Sequence, residues 1–429
     1  MDADVLVVGG GFAGIAAARD LREAARRVIV LEARDRIGGR TWYRELPGAG
    51  IWAEYGGMFF SRSTQPRVAA EIERYQLPVT PMPPPEVVAW VHGSTRVEGA
   101  PYVERLLDAL KAAGMSDALA ATAKAFASED RTALASLDVT ASEWIADLGA
   151  EPEAADLLRA FMASMGGAPV EEISALPLLW DMVELDYFDI VAAFGDVGEL
   201  LTYGTKSLID AMSEGLDVRF DSVVRRIEHD DDGVRITLDG GAVLEAPAAV
   251  IALPINLWAD VSFDPPLAAP KQRVGAQRQP GAVSKVLAVV DDAPSPYLGI
   301  GWDTPINAAF VTKPAPDGRL FMGFSVQERV DLDDRDALAR AVNAHLPDAT
   351  VVTTDGHDWV RDPFSKGSWL ATPTGWFGDG TFEALEEPEG RLAFAGSDIA
   401  AEGAGWIEGA IGSGIAAAAR TDALLGSVP

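Results

Sequence analysis

Gly9, Gly11 and Gly14 stand at G-x-G-x-x-G spacing, directly after the apolar run Val5–Val8 and ahead of an alanine-rich segment. A strand buried on both faces reads as a continuous apolar run, and a glycine turn leading into a helix reads as a phosphate cradle. Gly9 allows the tight turn, Gly11 lets backbone approach a pyrophosphate, and Gly14 lets the helix pack close to the strand. Phe12 and Ala13 then present N–H groups and the positive dipole end of that helix. A second apolar run, RVIVLEA, ends at Glu32, at the distance where an acid accepts from ribose hydroxyls. The spacing predicts a dinucleotide site. It does not choose between NAD and FAD. The next residues, ARDRIGGRTW, bring Ala33, Arg34, Gly39 and Arg40 straight after the acid. They suit a loop lying along an extended cofactor, with the arginines near phosphates or flavin.

Two other places carry chemistry. Lys285 is the one charge in GAVSKVLAVV. On its own that pattern reads as a lysine whose stem crosses a sheet while its ammonium reaches water. The stretch GAGWIEGAIGSG, residues 403–414, sets five glycines beside Trp406 and Glu408. So many permissive backbone positions around a large ring imply close approach to something flat.

Together these segments resemble the flavin-dependent amine oxidases, the family of monoamine, polyamine and L-amino acid oxidases. The resemblance rests on VVGGGFAG, VLEARDRIGGRTW, EYGGMFF, DSVVRRI and GRLAFAGSDIAAEGAGWIEGAIGSG, spread along the whole chain. The segments GGGFAGIAAARDL, PRVAAEIERYQLP and HDWVRDPF are similar to its 6-hydroxynicotine-oxidising branch. The resemblance implies an α/β fold. A discontinuous Rossmann-like FAD domain would comprise residues 1–80, 204–256 and 386–429. A substrate domain of mixed sheet and helices would comprise 81–203 and 257–385, helical over about 101–203.

The resemblance also distributes roles. Gly56, Gly57 and Met58 would lie near the flavin, and Val224 backbone would meet adenine. Gly396 and Ser397 would approach the cofactor, and Asp398 would accept from ribityl or ribose hydroxyls. Trp406 and Ile407 would open a helix whose N–H groups face the electron-rich end of the flavin. Lys285 matches the lysine that holds a water against flavin N5. Trp369 and Trp406 would form two walls between which an amine approaches. Phe60, Tyr203 and Phe324 are the expected substrate contacts, with Phe188 as a further candidate. Ser164 and Asn307 stand nearest the positions from which a heteroaromatic ring is read. Ser368 occupies the place where covalently flavinylated members carry cysteine, and the chain has none, so dissociable FAD is expected.

The reaction implied is oxidation of a primary or secondary amine with an apolar or nicotine-like ring. A hydride equivalent passes from the α carbon to flavin N5, and O₂ becomes H₂O₂. The alternative is a dehydrogenase or desaturase of the same superfamily, acting on a non-amine or using another acceptor.

Composition narrows the partners. The chain has 429 residues and a net charge of −30, so a nucleic-acid footprint is missing. With zero cysteines and four scattered histidines, no metal site is expected. No signal peptide and no spanning apolar run are visible, which predicts a cytoplasmic protein without membrane attachment. A homodimer is the oligomer that the resemblance suggests.

Overall fold

The computed structural model describes residues 1–128, 131–184, 199–326, 330–377 and 380–426. Phe188 lies outside the described residues. The first apolar run becomes the central strand of a five-stranded parallel sheet. In spatial order its strands are Leu392–Phe394, Ala248–Ile251, Val5–Val8, Val28–Leu31 and Asp217–Arg219. Four of these strands expose almost no side chain, as strands covered on both faces must. On one face lie the helix Phe12–Glu23 and the C-terminal helix Ile407–Gly426, which cross at small residues. A Cβ at Gly414 would stand 2.2 Å from the Ala13 carbonyl oxygen.

A seven-stranded mixed sheet forms the second layer, built from Val87–His92, Thr95–Glu98 and five strands between Ser284 and Asp358. The strand Ser284–Asp291 is buried throughout except at its last residue. It pairs antiparallel with Gly318–Ser325 and with Thr350–Asp358. Helices between Ala100 and Glu184 cover this sheet with one continuous apolar core. Thr140 starts one of them with a full capping box to Glu143.

The boundary expected at residue 256 falls inside a packed unit. The strand Ser262–Asp264 pairs in parallel with Val224–His229. Trp258, Leu267, Val274, Trp376 and Leu385 join the same core as the first strand's outer face. Long-range pairing sets this edge, and the local sequence gives no sign of it. None of the described helices is long and apolar enough to cross a membrane.

Candidate active site

The two sheets meet around one cavity of about 1190 Å³. Its wall draws on both ends of the chain, from Val8 to Ala410. One arm of it is a slot between facing glycine turns. A Cβ on Gly39 would lie 3.3 Å from Gly11 Cα, a tight approach between the two turns. Gly9 has φ +109° and Gly39 has φ +57°, both in the region that favours glycine. At the slot's end Glu32 is buried, its Oε2 accepting from Gly10 N at 2.7 Å and its Oε1 from Arg34 N at 2.9 Å. Val224 lines the same arm.

Gly14 does not line the cavity. Its missing Cβ would stand 1.9 Å from the Gly9 carbonyl, so it lets the helix close on the turn. The arginines are fixed within the wall. Arg34 pairs with Asp362 at 2.6 Å; burial pushes the Asp362 acid up, but the His357 hydrogen bond and the Arg34 charge outweigh it and hold the acid down to about 2. Arg40 donates to the Ser368 carbonyl at 2.8 Å and the Ser397 hydroxyl at 3.0 Å, joining the first loop to the C-terminal segment. Ala33, Phe12, Ala13, Gly56, Gly57, Met58, Gly396, Ser397 and Ile407 also face the cavity.

Asp398 is 2% exposed, with Oδ1 paired to Arg40 at 2.7 Å and Oδ2 accepting from Ile255 N at 3.3 Å, so it orients Arg40.

The other arm is an aromatic chamber. Trp369 and Trp406 both line it. The Trp369 indole donates to the Met165 carbonyl at 3.0 Å and meets Phe324 edge-on at 5.7 Å. Gly167, φ +70°, makes room for that indole: a Cβ there would come within 2.5 Å of Nε1. Phe59, Phe310 and Phe324 pack against one another at 5.8–6.2 Å. Phe60 lines the chamber while anchored in the core beneath the C-terminal helix. Trp406 stands just before the C-terminal helix, its carbonyl taking the bond from Ala410 N at 3.1 Å. The helix's first N–H groups therefore open toward the cavity.

Lys285 enters from the buried strand and is 3% exposed. Its Nζ donates to the Gly56 carbonyl at 2.8 Å, touches Met58 Sδ at 3.0 Å and lies 5.7 Å from the Phe324 ring centroid. Burial draws its ammonium down to about 7, against the pull of the Glu54 carboxylate. The lysine thus stays in the cavity wall and does not snorkel to water.

Tyr203 lies apart from this chamber. It is 66% exposed, off the cavity, at the position before the helix Gly204–Ser213. Gly204, φ +70°, packs against the Tyr43 ring and turns the preceding side chain outward. Asn307 is likewise off the cavity, tied to the Gly301 carbonyl and to Val326 N. Ser164, by contrast, lines the chamber at 3% exposure, and its hydroxyl has no hydrogen-bond partner among the described residues. Arg67, which also lines the cavity and pairs with the buried Glu408 at 3.2 Å, carries no local signal in the sequence.

A glycine-walled dinucleotide slot opening into an aromatic chamber with a buried lysine defines a flavin-dependent oxidoreductase. The chain belongs to the flavin containing amine oxidoreductase family, whose profile matches residues 12–421. It is 32% identical to (S)-6-hydroxynicotine oxidase of Paenarthrobacter nicotinovorans, over 95% of this chain and 96% of the relative. It is also 32% identical to pseudooxynicotine dehydrogenase of a Pseudomonas species, over 96% and 85% of the two chains. The solved structure of putrescine oxidase bound to putrescine superposes with a TM-score of 0.83 at 25% identity, covering 99% of each chain. Cyclohexylamine oxidase from Brevibacterium oxydans shares the fold, with a TM-score of 0.81 at 23% identity and 99% and 100% coverage.

The cofactor is FAD. The residues present fit it: two closely opposed glycine turns, a buried acid at the end of the second strand, and a helix start at the chamber.

Proposed function

We propose that this chain oxidises a primary or secondary amine bearing an apolar or heteroaromatic, nicotine-like ring. The observation that carries the reading is the chamber itself, where Lys285, Trp369 and Trp406 line one cavity together with Phe59, Phe310 and Phe324. FAD held in the glycine slot would supply the acceptor for a hydride equivalent from the amine's α carbon, with O₂ as the final oxidant and H₂O₂ as its product.

The chain's own residues bind and orient. The two indoles flank the amine and exclude water, and their π faces tolerate the cation before it loses its proton. The phenylalanines favour an apolar ring body. The Ser164 hydroxyl offers a hydrogen bond to a heteroatom on that ring. Lys285 holds or releases a proton at Nζ beside the Gly56 carbonyl. A neutral amine needs no carboxylate base in contact with it for hydride loss.

FAD is held without a covalent bond in this reading. The chain lacks cysteine, and the Ser368 hydroxyl is occupied by Val283 N at 3.2 Å. Acid precipitation of the protein should leave all the flavin in the supernatant; flavin in the pellet contradicts it. A cytoplasmic location and a homodimer accompany the proposal.

A second reading keeps the amine but replaces O₂ by another acceptor. Equal identity to a relative named as a dehydrogenase favours it. Anaerobically reduced enzyme mixed with air-saturated buffer separates the two. Reoxidation within seconds with stoichiometric H₂O₂ supports the oxidase, and a flavin that stays reduced for minutes supports the dehydrogenase.

A further inference from the structure

An ionised side chain taken out of water is costly unless an opposite charge lies against it. The buried acids of this fold obey that rule with one exception. Glu71 lies 2.6 Å from Arg19, Asp398 2.7 Å from Arg40, Glu408 3.2 Å from Arg67 and Glu32 3.9 Å from Arg34. The buried Lys271 is matched in the same way by Glu389 at 2.9 Å. Glu54 and Lys285 are both buried, yet neither has an ion-pair partner within 4.0 Å among the described residues.

These two unmatched groups meet across one piece of backbone. Glu54 ends the strand Ile51–Glu54, and its carboxylate turns to the helix Gly204–Ser213. There Oε1 accepts from Thr205 N at 2.6 Å and Oε2 from the Thr205 hydroxyl at 3.1 Å. Two residues on, the Gly56 carbonyl accepts from Lys285 Nζ at 2.8 Å. The segment is tied to the first loop, with Tyr55 N donating to the Trp42 carbonyl at 2.8 Å and Gly57 N to the Arg40 carbonyl at 3.1 Å, and Gly56 passes so close that a Cβ there would lie 2.1 Å from that same oxygen.

We propose that Glu54 is a positioning residue for the reaction: acting through Lys285, its carboxylate sustains the proton on the cavity lysine across the Glu54–Gly56 turn. It does not touch substrate. Burial pushes the Glu54 acid up to about 7 and draws Lys285 down to about 7, each opposed by the other's charge. The two groups carry opposite charges without direct contact, so the charge of each biases the titration of the other and they titrate as a pair. Lys313 and Tyr43 also face Glu54. Burial lowers the first and raises the second, and the Glu54 charge acts on both. Phe324 and Met58 complete the surroundings of Nζ and bear no charge.

The inference rests on the amine-oxidising reading only for its consequence in turnover. Its test therefore includes a titration without substrate. The oxidised-flavin absorption spectrum is followed against pH in wild type, Glu54→Gln, Thr205→Val and Lys285→Met holoenzymes, together with anaerobic flavin reduction by a secondary amine. Wild type should show a transition near neutral pH in both. Glu54→Gln should move it to lower pH by about one unit or more, a tenfold weaker hold on the lysine proton. Thr205→Val leaves the carboxylate in place but removes one donor to it, and should move the transition the same way by less. Lys285→Met should abolish it. A Glu54→Gln holoenzyme whose transition stays at the wild-type pH overturns the proposal. So does a uniform loss of rate without a shift, the result of a merely structural role. If Glu54→Gln fails to hold FAD, an unshifted transition in Thr205→Val overturns it instead.

Discussion

At the scale of single residues, the chamber sets two expectations. Lys285→Met should keep FAD and fold, because methionine fills the apolar strand position. It should slow anaerobic flavin reduction by about 10²-fold, the lower range for loss of a positioned proton carrier. An unchanged reduction rate would remove Lys285 from the reaction. Ser164→Ala should raise the KM roughly tenfold for an amine whose ring carries a heteroatom, the worth of about one neutral hydrogen bond. It should leave a carbocyclic analogue unchanged. Equal effects on both substrates would mean that Ser164 reads no ring atom. Legibility at this scale was uneven for a physical reason. Gly9, Gly11, Gly39 and Glu32 were readable because backbone geometry and strand ends demand those types locally. The directions of Tyr203 and Asp398 were not readable, because they depend on neighbours remote in sequence: Tyr43 against Gly204, and Arg40 with Ile255.

At the scale of elements, the site depends on how closely two helices cross beneath the parallel sheet. The glycine stretch near the chain's end serves that approach. A Cβ at Gly409 would stand 2.2 Å from the Gly403 carbonyl, and one at Gly414 the same distance from the Ala13 carbonyl. Gly414→Ala should therefore destabilise the protein by about 1–3 kcal/mol through overpacking. The loss should appear as a lower Tm with a weaker hold on FAD, since the displaced helix carries Trp406 and Ile407. A Tm equal to wild type would show that the crossing relaxes freely. The helices and strands around the two glycine-rich segments were legible from period and turn residues. The pairing of Ser262–Asp264 with Val224–His229 was not, because a three-residue parallel strand leaves no periodic trace. Glu54 was invisible as a special group for the same kind of reason. Its burial comes from the helix Gly204–Ser213, which contributes both donors from Thr205.

At the scale of the whole molecule, the chamber is formed only when both sheets are in place, so stability and function are joined. The second sheet carries a buried imidazole at the end of the helix Arg335–His345. His345 is fully buried, its Nε2 bonded to the Ile306 carbonyl at 2.9 Å. Burial and the nearby Arg96 draw its pKa from 6.5 to about 4. Above pH 6.5 the ring is neutral in both folded and unfolded chains and costs nothing. As pH falls toward 4 the unfolded chain takes up a proton that the folded one refuses, and stability drops by about 3 kcal/mol. Urea unfolding midpoints of wild type and His345→Gln should converge over that window. Parallel curves would show that the imidazole does not titrate on unfolding.

The most direct test of the central claim is an anaerobic titration of the purified protein with a nicotine-like secondary amine, followed in the visible spectrum. The account predicts that the oxidised-flavin absorption bleaches in proportion to amine added, and that Lys285→Met slows the bleaching. A yellow protein that stays yellow through primary, secondary and ring-bearing amines would contradict the assignment of this chamber to amine oxidation.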